Sequence, residues 1–384
     1  MTEVRVTARG AERWRAGHPW IHKSEVRGDP GEPGLVPVRD PRGKLIGQAL
    51  YSPASEIRLR LLEPTDRAVD AAWWRERLSA CLARRVGIDA TAYRVVHAEG
   101  DGLPSLVVDR YDRWIVAQIL SAGLETFRAE VISALVDVLH PEGVLLRHDT
   151  PVRRRERLPE ETVLAYGTVP DWVEVREGRI RYFAAPWTGQ KTGAFLDQRP
   201  NRLLAAELAL SGGRSLDCFA YHGSFALHLA TRSAEVVALD SSAEALARGA
   251  VNAELNGLGN ITWREGDAFA TLRSLERARE RFDTVVLDPP AFAKGKSTVS
   301  QALRGYHEIN LRAMRLLAPG GHLLTASCSY HVRLPLFLDM LSAAAADSGR
   351  RLILRRVLGQ GEDHPEVVTI PETGYLKGAV LQAR

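Results

Sequence analysis

Arg214-Ser-Leu-Asp-Cys-Phe-Ala-Tyr-His-Gly-Ser-Phe-Ala-Leu-His-Leu-Ala230 is the segment that most clearly indicates the architecture of this chain. It opens with a short apolar run, typical of a buried strand, that ends at Asp217. A loop with Gly223 then leads into a helix that begins near Phe225. A strand followed by a tight glycine turn and a helix forms the ligand-binding corner of an open α/β sheet. In such a corner the loop backbone and the helix N-terminus face a nucleotide-like ligand.

Strands and helices alternate from about residue 186 to the C-terminus, which predicts a parallel sheet with helices on both faces. Ligands bind beyond the carboxyl ends of such strands. Asp240 ends the second strand, where an acid is placed to hold ribose hydroxyls. Further strands are expected at 261–267, 282–288 and 321–327, and late strands near 352–355 and 379–381 would close the sheet edge.

The length and composition predict a multidomain globular protein. A chain of 384 residues is long for one domain, and 45% apolar with 26% charged residues is ordinary for a soluble protein. No apolar run reaches the length of a membrane span and the N-terminus lacks a signal-peptide hydrophobic region, so a cytoplasmic location is expected. The distant cysteines, Cys81, Cys218 and Cys328, give neither a disulfide framework nor a zinc spacing, and no metal site is expected.

Residues 1–68 have the pattern of a β-rich module with one short helix over 8–16. Arginines crowd that helix and Trp20 follows it; basic residues beside an exposed aromatic suit RNA binding. The alternative is a solvated helix face with Trp20 in the core. The net charge is only +4, but arginine, which favours phosphate contacts, predominates. A GC-rich coding bias would give the same composition. The arginines in question are Arg5, Arg9, Arg13 and Arg15.

Residues 69–185 are expected to form a small α+β domain in which no catalytic constellation is evident. A helix over 73–86 would place Cys81 in the core, and a second amphipathic helix is expected over 125–139. The basic run 153–157 is predicted to lie on a loop, either contacting phosphates or solvated. Strands are expected at 93–97, 105–109, 114–119 and 144–147, with a hairpin over 173–183.

The motif Leu287-Asp-Pro-Pro-Ala-Phe292 adds chemistry to the nucleotide fold. Two prolines directly after a central strand stop the ladder and fix a rigid turn. They hold the Asp288 carboxylate and nearby carbonyls at the sheet edge, where these acceptors would bind the exocyclic amine of a flat base. The alternative is a plain strand-ending turn.

Ala326-Ser-Cys-Ser-Tyr330 follows the next strand, so Cys328 would face the same crevice as Asp288. A thiolate there would add to C6 of a pyrimidine and make C5 a carbon nucleophile that takes a methyl group. Such a thiol needs a lowered pKa. The alternative for Cys328 is a small buried hydrophobe at a strand end, and Cys218 is expected to pack beneath the ligand.

With these motifs, the chain resembles the class I S-adenosylmethionine-dependent methyltransferases, which have a Rossmann-like fold. The similarity is greatest to the cytosine-C5 methyltransferases of large-subunit (23S) ribosomal RNA that carry an N-terminal PUA domain, and it covers the whole chain. Residues 1–68 resemble the PUA RNA-binding domain, 69–185 the central α+β domain and 186–384 the methyltransferase domain. The segment Gln190-Lys-Thr-Gly-Ala-Phe-Leu-Asp-Gln-Arg199 resembles the part of the family that lies over the cofactor.

The resemblance implies S-adenosylmethionine as cofactor, with Asp240 at its ribose and Asp267 and Ala268 at its adenine. It implies that Asp288 binds the target base and that Cys328 is the nucleophile. RNA relatives that use two cysteines place one near the Asp288 position, so the base that removes the C5 proton is unassigned, with Asp288 and a water as candidates. The implied cofactor-binding residues are Lys191, Thr192, Gly193, Phe195, Arg199, Asp217, Phe219, Gly223, Asp240, Ser241, Asp267, Ala268 and Asp288, and Pro289, Pro290 and Phe292 would contact the base.

The expected function is therefore formation of 5-methylcytosine in large-subunit rRNA by covalent cysteine catalysis. One alternative is amino-group methylation of N6 of adenine or N4 of cytosine, in which Cys328 would be idle. Another is a non-catalytic RNA-binding ribosome assembly factor. Because a paired cytosine must be unstacked to react, a single-stranded or loop substrate in free rRNA is expected. The oligomeric state is left open, with a homodimer among the alternatives.

Overall fold

Three multistranded sheets and one hairpin contain the strands of the computed structural model, which describes residues 3–293 and 295–384. Residues 1 and 2 of the expected N-terminal module lie outside the described residues. The strands are β1 Val4–Val6, β2 Trp20–His22, β3 Val26–Arg27, β4 Gly34–Arg39, β5 Leu45–Tyr51, β6 Ile57–Glu63, β7 Ala92–His97, β8 Leu106–Tyr111, β9 Trp114–Ile119, β10 Gly143–Arg147, β11 Thr162–Gly167, β12 Val173–Glu177, β13 Ile180–Ala184, β14 Arg214–Cys218, β15 Glu235–Asp240, β16 Ile261–Glu265, β17 Phe282–Leu287, β18 Leu317–Ser327, β19 Leu352–Leu358 and β20 Lys377–Ala383.

Helices cover or connect these sheets. They are α1 Ala8–Arg15, α2 Ala71–Ala83, α3 Ala122–Glu125, α4 Arg128–Leu139, α5 Pro151–Arg155, α6 Arg199–Leu208, α7 Ser224–Ala230, α8 Ala243–Leu255, α9 Ala268–Arg277, α10 Val299–Leu316 and α11 Leu334–Ser348.

The seven-stranded sheet has the order β16-β15-β14-β17-β18-β20-β19. Strands β14 to β18 are parallel, with Leu216 opposite both Val237 and Val285. Their apolar side chains are buried on both faces: one core contains Leu216 and residues of α9 to α11, and the other contains Val286 and residues of α6 and α7. The predicted parallel α/β sheet covered on both faces is confirmed.

The two late strands lie at the predicted edge of this sheet. Strand β20 pairs antiparallel with β18 on one side and with β19 on the other. Because β20 runs against its parallel neighbours, its first residue, Lys377, lies at the edge where they end. Lys377 is opposite Ser327 in the register of β18 and β20.

The six-stranded sheet of the N-terminal region has the order β2-β6-β5-β4-β1-β3 and confirms a β-rich module with one short helix. Trp20 matches neither alternative, because it is half-buried on β2 and donates from Nε1 to Glu99 Oε1 at 2.8 Å. The arginines of α1 are also engaged. Arg9 and Arg13 pair with Glu25, and Arg15 pairs with Asp40.

The central sheet has the order β11-β10-β9-β8-β7 and packs against α2 and α4. Cys81 is buried in this core, as predicted. The single helix expected over 125–139 is wrong in its first part, because Phe127 leaves helical geometry and separates α3 from α4. Strands β2, β3 and β11 were not predicted; β2 and β3 are too short to show periodicity, and β11 lies at a sheet edge.

The prediction that residues 153–157 form a loop is wrong for the first three of them, which belong to α5. Pro151 at the helix start favours helical geometry there. Arg153 is buried, donates to the carbonyl oxygens of Ile119 and Pro159 at 2.6 and 2.8 Å, and pairs with Glu125 at 2.8 Å. A phosphate contact by Arg153 is therefore excluded, since its guanidinium is committed to the core.

The chain divides into two units. The first comprises residues up to Val175, Phe183–Leu196 and Glu362–Gly374, and the second comprises Arg176–Tyr182, Asp197–Gly361 and Tyr375–Arg384. The first unit contains the six- and five-stranded sheets, and the second contains the seven-stranded sheet. The finer division into three domains at residues 68 and 185 stays a prediction.

A buried ion pair stabilises the second unit. The Arg202 guanidinium donates to both carboxylate oxygens of Glu177, at 2.7 and 2.5 Å, and His228 Nε2 lies 3.0 Å from Glu177 Oε1. Burial alone would raise the pKa of Glu177, but Arg202 and His228 offset it and lower that pKa to about 2. Since the folded pKa is depressed, the stabilisation is complete above about pH 4.5 and is lost as the pH falls towards about 2.

Arg202→Met should destabilise the second unit by about 3 to 5 kcal/mol, because it leaves the buried Glu177 carboxylate without the guanidinium that pairs with both of its oxygens. The matched control, Arg67→Met, removes an exposed pair with Glu76 and should cost less than about 1 kcal/mol. Urea unfolding followed by amide exchange in peptides of β14 and β15 measures the first effect. Equal small losses in the two variants would show that the buried pair has no special role.

Candidate active site at the carboxyl edge of the parallel sheet

The loop after β14 is fastened to the ends of the neighbouring strands. The amide of Ala220 donates to the Leu239 carbonyl at 3.0 Å, and the amide of Tyr221 donates to Asp240 Oδ2 at 2.8 Å. On the other side, the Asp288 amide lies 3.5 Å from the Cys218 carbonyl. The predicted acids at the ends of β14, β15 and β17 therefore lie along one sheet edge.

The same loop contains backbone strain. Phe219 and Tyr221 have positive φ angles of 66° and 51°, which are uncommon for residues with side chains. Gly223 follows with φ of 84°, and a Cβ built on it would lie 2.4 Å from the ring of Trp263 on β16. Such strain persists only where the surroundings impose it, and it is concentrated at ligand sites. The single glycine of the loop is thus required by both its φ angle and its contact with Trp263.

Asp217, near the end of β14, is fully buried and only partly hydrogen-bonded. Its Oδ2 accepts from the Ala226 amide at 2.8 Å, while its Oδ1 has no partner among the described residues. Burial and the charges of Asp288 and Asp240 raise the pKa of Asp217 well above its usual range. A positively charged ligand favours the ionised form of a carboxyl group, such as that of Asp217, whose ionisation neighbouring carboxylates disfavour. A sulfonium-bearing molecule with hydrogen-bonding groups has the required chemistry.

The remaining acids on this edge take part in local capping as well. Asp240 Oδ1 accepts from the Ser242 amide at 2.9 Å, and Ser241 between them is exposed. Asp267 is exposed and caps α9 through the Ala270 amide at 2.8 Å, whereas Ala268 is buried. Carboxylate oxygens have lone pairs beyond those that a single cap occupies. The caps therefore leave acceptor capacity for the predicted ribose and adenine contacts, which stay predictions.

Asp288 is oriented by residues that the sequence did not single out. Gln198 Nε2 donates to Asp288 Oδ1 at 2.7 Å, and Asn201 Nδ2 donates to Gln198 Oε1 at 2.6 Å. Asn201 also donates to the Gly359 carbonyl at 3.0 Å. Gln198 lies in the 190–199 motif, but nothing in the sequence relates it to a residue 90 positions away. This series of hydrogen bonds fixes the Asp288 carboxylate at the start of the Pro289-Pro290 turn.

The Asp-Pro-Pro and Ser-Cys-Ser loops are hydrogen-bonded to each other. The Ala293 amide donates to Ser329 Oγ at 3.1 Å, and the Tyr306 hydroxyl lies 2.9 Å from the same Oγ. Phe292 is half-buried, with its ring centroid 4.6 Å from that of Tyr306 and 6.4 Å from that of Phe219 in the β14 loop. Pro289 is buried and Pro290 is exposed. The structure thus joins the two predicted motifs and the β14 loop into one constellation.

Cys328 is the one of the three cysteines that is not buried, and it directly follows β18. Cys218 is buried in the core, as predicted, and burial raises its pKa well above the usual range. Burial likewise raises the pKa of Cys81 to about 11. Among the three cysteines, only Cys328 is partly exposed, and it lies at the carboxyl edge.

The segment that was predicted to lie over the cofactor is anchored in the first unit. Thr192 Oγ1 donates to Asp109 Oδ2 at 2.5 Å and lies 2.9 Å from the Tyr111 hydroxyl, which also accepts from the Ala194 amide. Lys191 is exposed, Gly193 is buried and Phe195 is half-buried. In the second unit, Arg199 begins α6 and is buried. Cofactor contacts by these residues stay predictions.

No group of three His, Cys, Asp or Glu side chains within residues 3–293 and 295–384 has the arrangement of a metal site. Within the same residues, every helix is too short or too polar to cross a membrane.

Two family models match the chain. A model described as S-adenosylmethionine-dependent methyltransferase covers residues 153–374, and a model described as PUA-like domain covers residues 4–64. The first contains the residues that follow β14, β15, β17 and β18 at the carboxyl edge, including Cys328.

Relatives and solved structures agree with these matches. A protein of Aeromonas hydrophila called ribosomal RNA large subunit methyltransferase I is 40% identical over 381 residues, with 96% of each chain covered. A structure from Streptococcus mutans, provisionally described as a SAM-dependent methyltransferase, matches with a TM-score of 0.84 at 18% identity and covers 100% of both chains. A provisionally described methyltransferase complexed with SAH matches with the same TM-score, identity and coverage. These structural likenesses support the fold.

Gly223→Ala should destabilise the second unit and weaken binding of S-adenosylmethionine. The added Cβ costs about 1 to 2 kcal/mol for the left-handed conformation and about 1 to 3 kcal/mol more for overlap with Trp263. Gly212→Ala is the matched control, since Gly212 has φ of 75° but open space around it. It should show the first cost alone and normal binding.

Thermal unfolding and calorimetric titration with S-adenosylmethionine measure both effects. Unchanged binding in the Gly223→Ala variant would contradict a ligand site at this loop.

Proposed function

Because the chain belongs to the S-adenosylmethionine-dependent methyltransferases, in the family of the ribosomal RNA large subunit methyltransferase I proteins, we propose that it methylates C5 of a cytosine in 23S rRNA with Cys328 as nucleophile. The observation that carries the proposal is the pairing of two loops: the loop bearing Asp288 is hydrogen-bonded, through Ser329, to the loop bearing Cys328. An acceptor for a base and an accessible thiol thus belong to one constellation.

The cofactor belongs at the β14 loop. Its positive charge suits the cluster of Asp217, Asp240 and Asp288, and the unpartnered Asp217 Oδ1 offers it a polar contact. By family resemblance, Asp240 binds the ribose hydroxyls, and Asp267 with Ala268 binds the adenine. When bound, S-adenosylmethionine supplies an electrophilic methyl group. The residues of this chain bind and orient the cofactor and the base, and they supply the nucleophile.

The target base lies against the Asp288-Pro289-Pro290 turn in this proposal. The Asp288 carboxylate, held by Gln198, accepts a hydrogen bond from the exocyclic amine of cytosine. Cys328 Sγ, as a thiolate, forms a bond to C6, and the electron pair of the C5–C6 double bond moves to C5. C5 then takes the methyl group. Loss of the C5 proton to Asp288 or a water, with cleavage of the Sγ–C6 bond, restores the ring and the thiolate.

The rRNA substrate is supported by the names of the relatives and by the PUA-like domain at residues 4–64. A target cytosine has to leave its stack before C5 and C6 become accessible. We therefore place the reaction on a single-stranded or loop segment of rRNA, in the cytoplasm. The homodimer that the sequence leaves open stays a prediction.

Cys328→Ala should abolish methylation and covalent trapping. RNA that contains 5-fluorocytosine has no C5 proton to lose, so the wild-type enzyme should stall as a covalent protein–RNA complex after methyl transfer. That complex is seen as a shifted, cofactor-labelled band on a denaturing gel. The matched control, Cys81→Ala, removes a buried thiol of the first unit and should keep trapping and turnover.

Methylation retained by the Cys328→Ala variant would instead support amino-group methylation, in which the thiol is idle. Binding of S-adenosylmethionine without methyl transfer to any rRNA would support a non-catalytic assembly factor.

Naked 23S rRNA should be methylated faster than finished large subunits, because assembly restricts unstacking of the target base. Initial rates on the two substrates, at equal RNA concentration and salt, test this expectation. A clear preference for finished subunits would overturn it.

A further inference from the structure

Lys377 lies beside the turn that bears Cys328. It is the first residue of β20 and pairs in register with Ser327, the residue before Cys328. Its Nζ donates to the carbonyl oxygen of Ser329, the residue after Cys328, at 2.6 Å. The backbone of Lys377 therefore lies beside Ser327, and its ammonium group is held at the turn by the Ser329 carbonyl.

The surroundings of the Lys377 ammonium group indicate which anion stabilises it. Lys377 is only 7% exposed, and no Asp or Glu among the described residues forms an ion pair with it. Buried lysines are rare unless a negative charge is nearby. Burial lowers the pKa of Lys377 to about 8, and the charge of Cys328 opposes that lowering. The anion that best stabilises Lys377 is thus the Cys328 thiolate.

We propose that Lys377 is a positioning residue that holds Cys328 as a thiolate for attack on C6, an inference that rests on the proposed role of Cys328. The thiol proton passes to solvent, and Lys377 stays protonated as the counter-ion. When the Sγ–C6 bond forms, the negative charge leaves sulfur for the ring. When that bond breaks at the end of the reaction, the thiolate returns to the same ammonium, which favours its departure.

Other titratable groups lie on the elements around this turn. Tyr306 on α10 touches Ser329 Oγ, and burial raises the pKa of its hydroxyl, so it stays neutral. Asp288 follows β17 and would disfavour a thiolate. The chain after Cys328 adds Tyr330, His331 and Arg333, of which Tyr330 and Arg333 are exposed. Lys377 is the buried cation among these groups.

The test is the pH dependence of Cys328 alkylation by iodoacetamide in the full-length enzyme without RNA, read by mass spectrometry of the Cys328 peptide. Alkylation follows the thiolate. The decisive variant is Lys377→Gln, which keeps a donor for the Ser329 carbonyl but removes the charge. Its alkylation midpoint should lie about one pH unit or more above that of the wild type. Lys377→Arg, which keeps the charge, should restore most of the shift.

Tyr306→Phe is the matched control, because it removes a neutral hydroxyl from the same turn and should leave the midpoint near that of the wild type. Methylation by Lys377→Gln should show the same alkaline displacement, with kcat at pH 7 lowered by up to about tenfold for a shift of one unit and KM for RNA little changed.

Equal midpoints in the wild type and a folded Lys377→Gln variant would overturn the role of Lys377, and Lys377→Met serves if Lys377→Gln does not fold. This failure is distinguishable from failure of the proposed function. If the Cys328→Ala variant is active, cysteine catalysis is ruled out, whatever the alkylation shows. If the Cys328→Ala variant is inactive and the alkylation midpoint of Lys377→Gln is unshifted, only the proposed role of the lysine is ruled out.

Discussion

The shared polarity of parallel strands is the constraint on which the site depends. Strands β14, β15, β17 and β18 all end at one edge, so the residues that follow them are neighbours although they are far apart in sequence. The result is electrostatically costly, since Asp217 is buried near Asp240 and Asp288 and its pKa is raised. A cationic ligand bound at this edge would relieve that cost. The edge is therefore both a strained and a selective environment.

The antiparallel strand β20 adds something that parallel strands cannot. Parallel strands bring their last residues to the active edge, whereas β20 brings its first residue, Lys377, to the same place. The proposed nucleophile, Cys328, and its proposed counter-ion, Lys377, thus come from opposite ends of adjacent strands. Hydrogen bonds of Ser329 then link the Cys328 loop to the loop after β17 through Ala293, to α10 through Tyr306 and to β20 through Lys377. One serine carries three of the contacts that define the geometry around Cys328.

The amino-acid composition predicted RNA-contacting residues less well than the polarity of the strands predicted the place of the site. The abundance of arginine suggested nucleic acid, yet several of the arginines that seemed placed for phosphates are engaged within the protein. Arg13 pairs with Glu25, and Arg153 is buried against Glu125. An arginine in a sequence carries the same charge whether it pairs with a carboxylate or faces solvent, and only its neighbours decide between the two. The RNA substrate is accordingly supported by the family and the PUA-like domain.

The sequence by itself determined the parallel sheet, the acids at its carboxyl edge and the place of Cys328 after β18. These follow from local signals: apolar runs form the strands, and the residue after each run lies at the edge. Only the tertiary structure placed Gln198 on Asp288, buried Arg153, separated α3 from α4 and put Lys377 beside Cys328. Each of these features depends on contacts between residues that are distant in sequence, or on the pairing of the antiparallel strand β20 between β18 and β19. Such contacts leave no periodic pattern in the sequence.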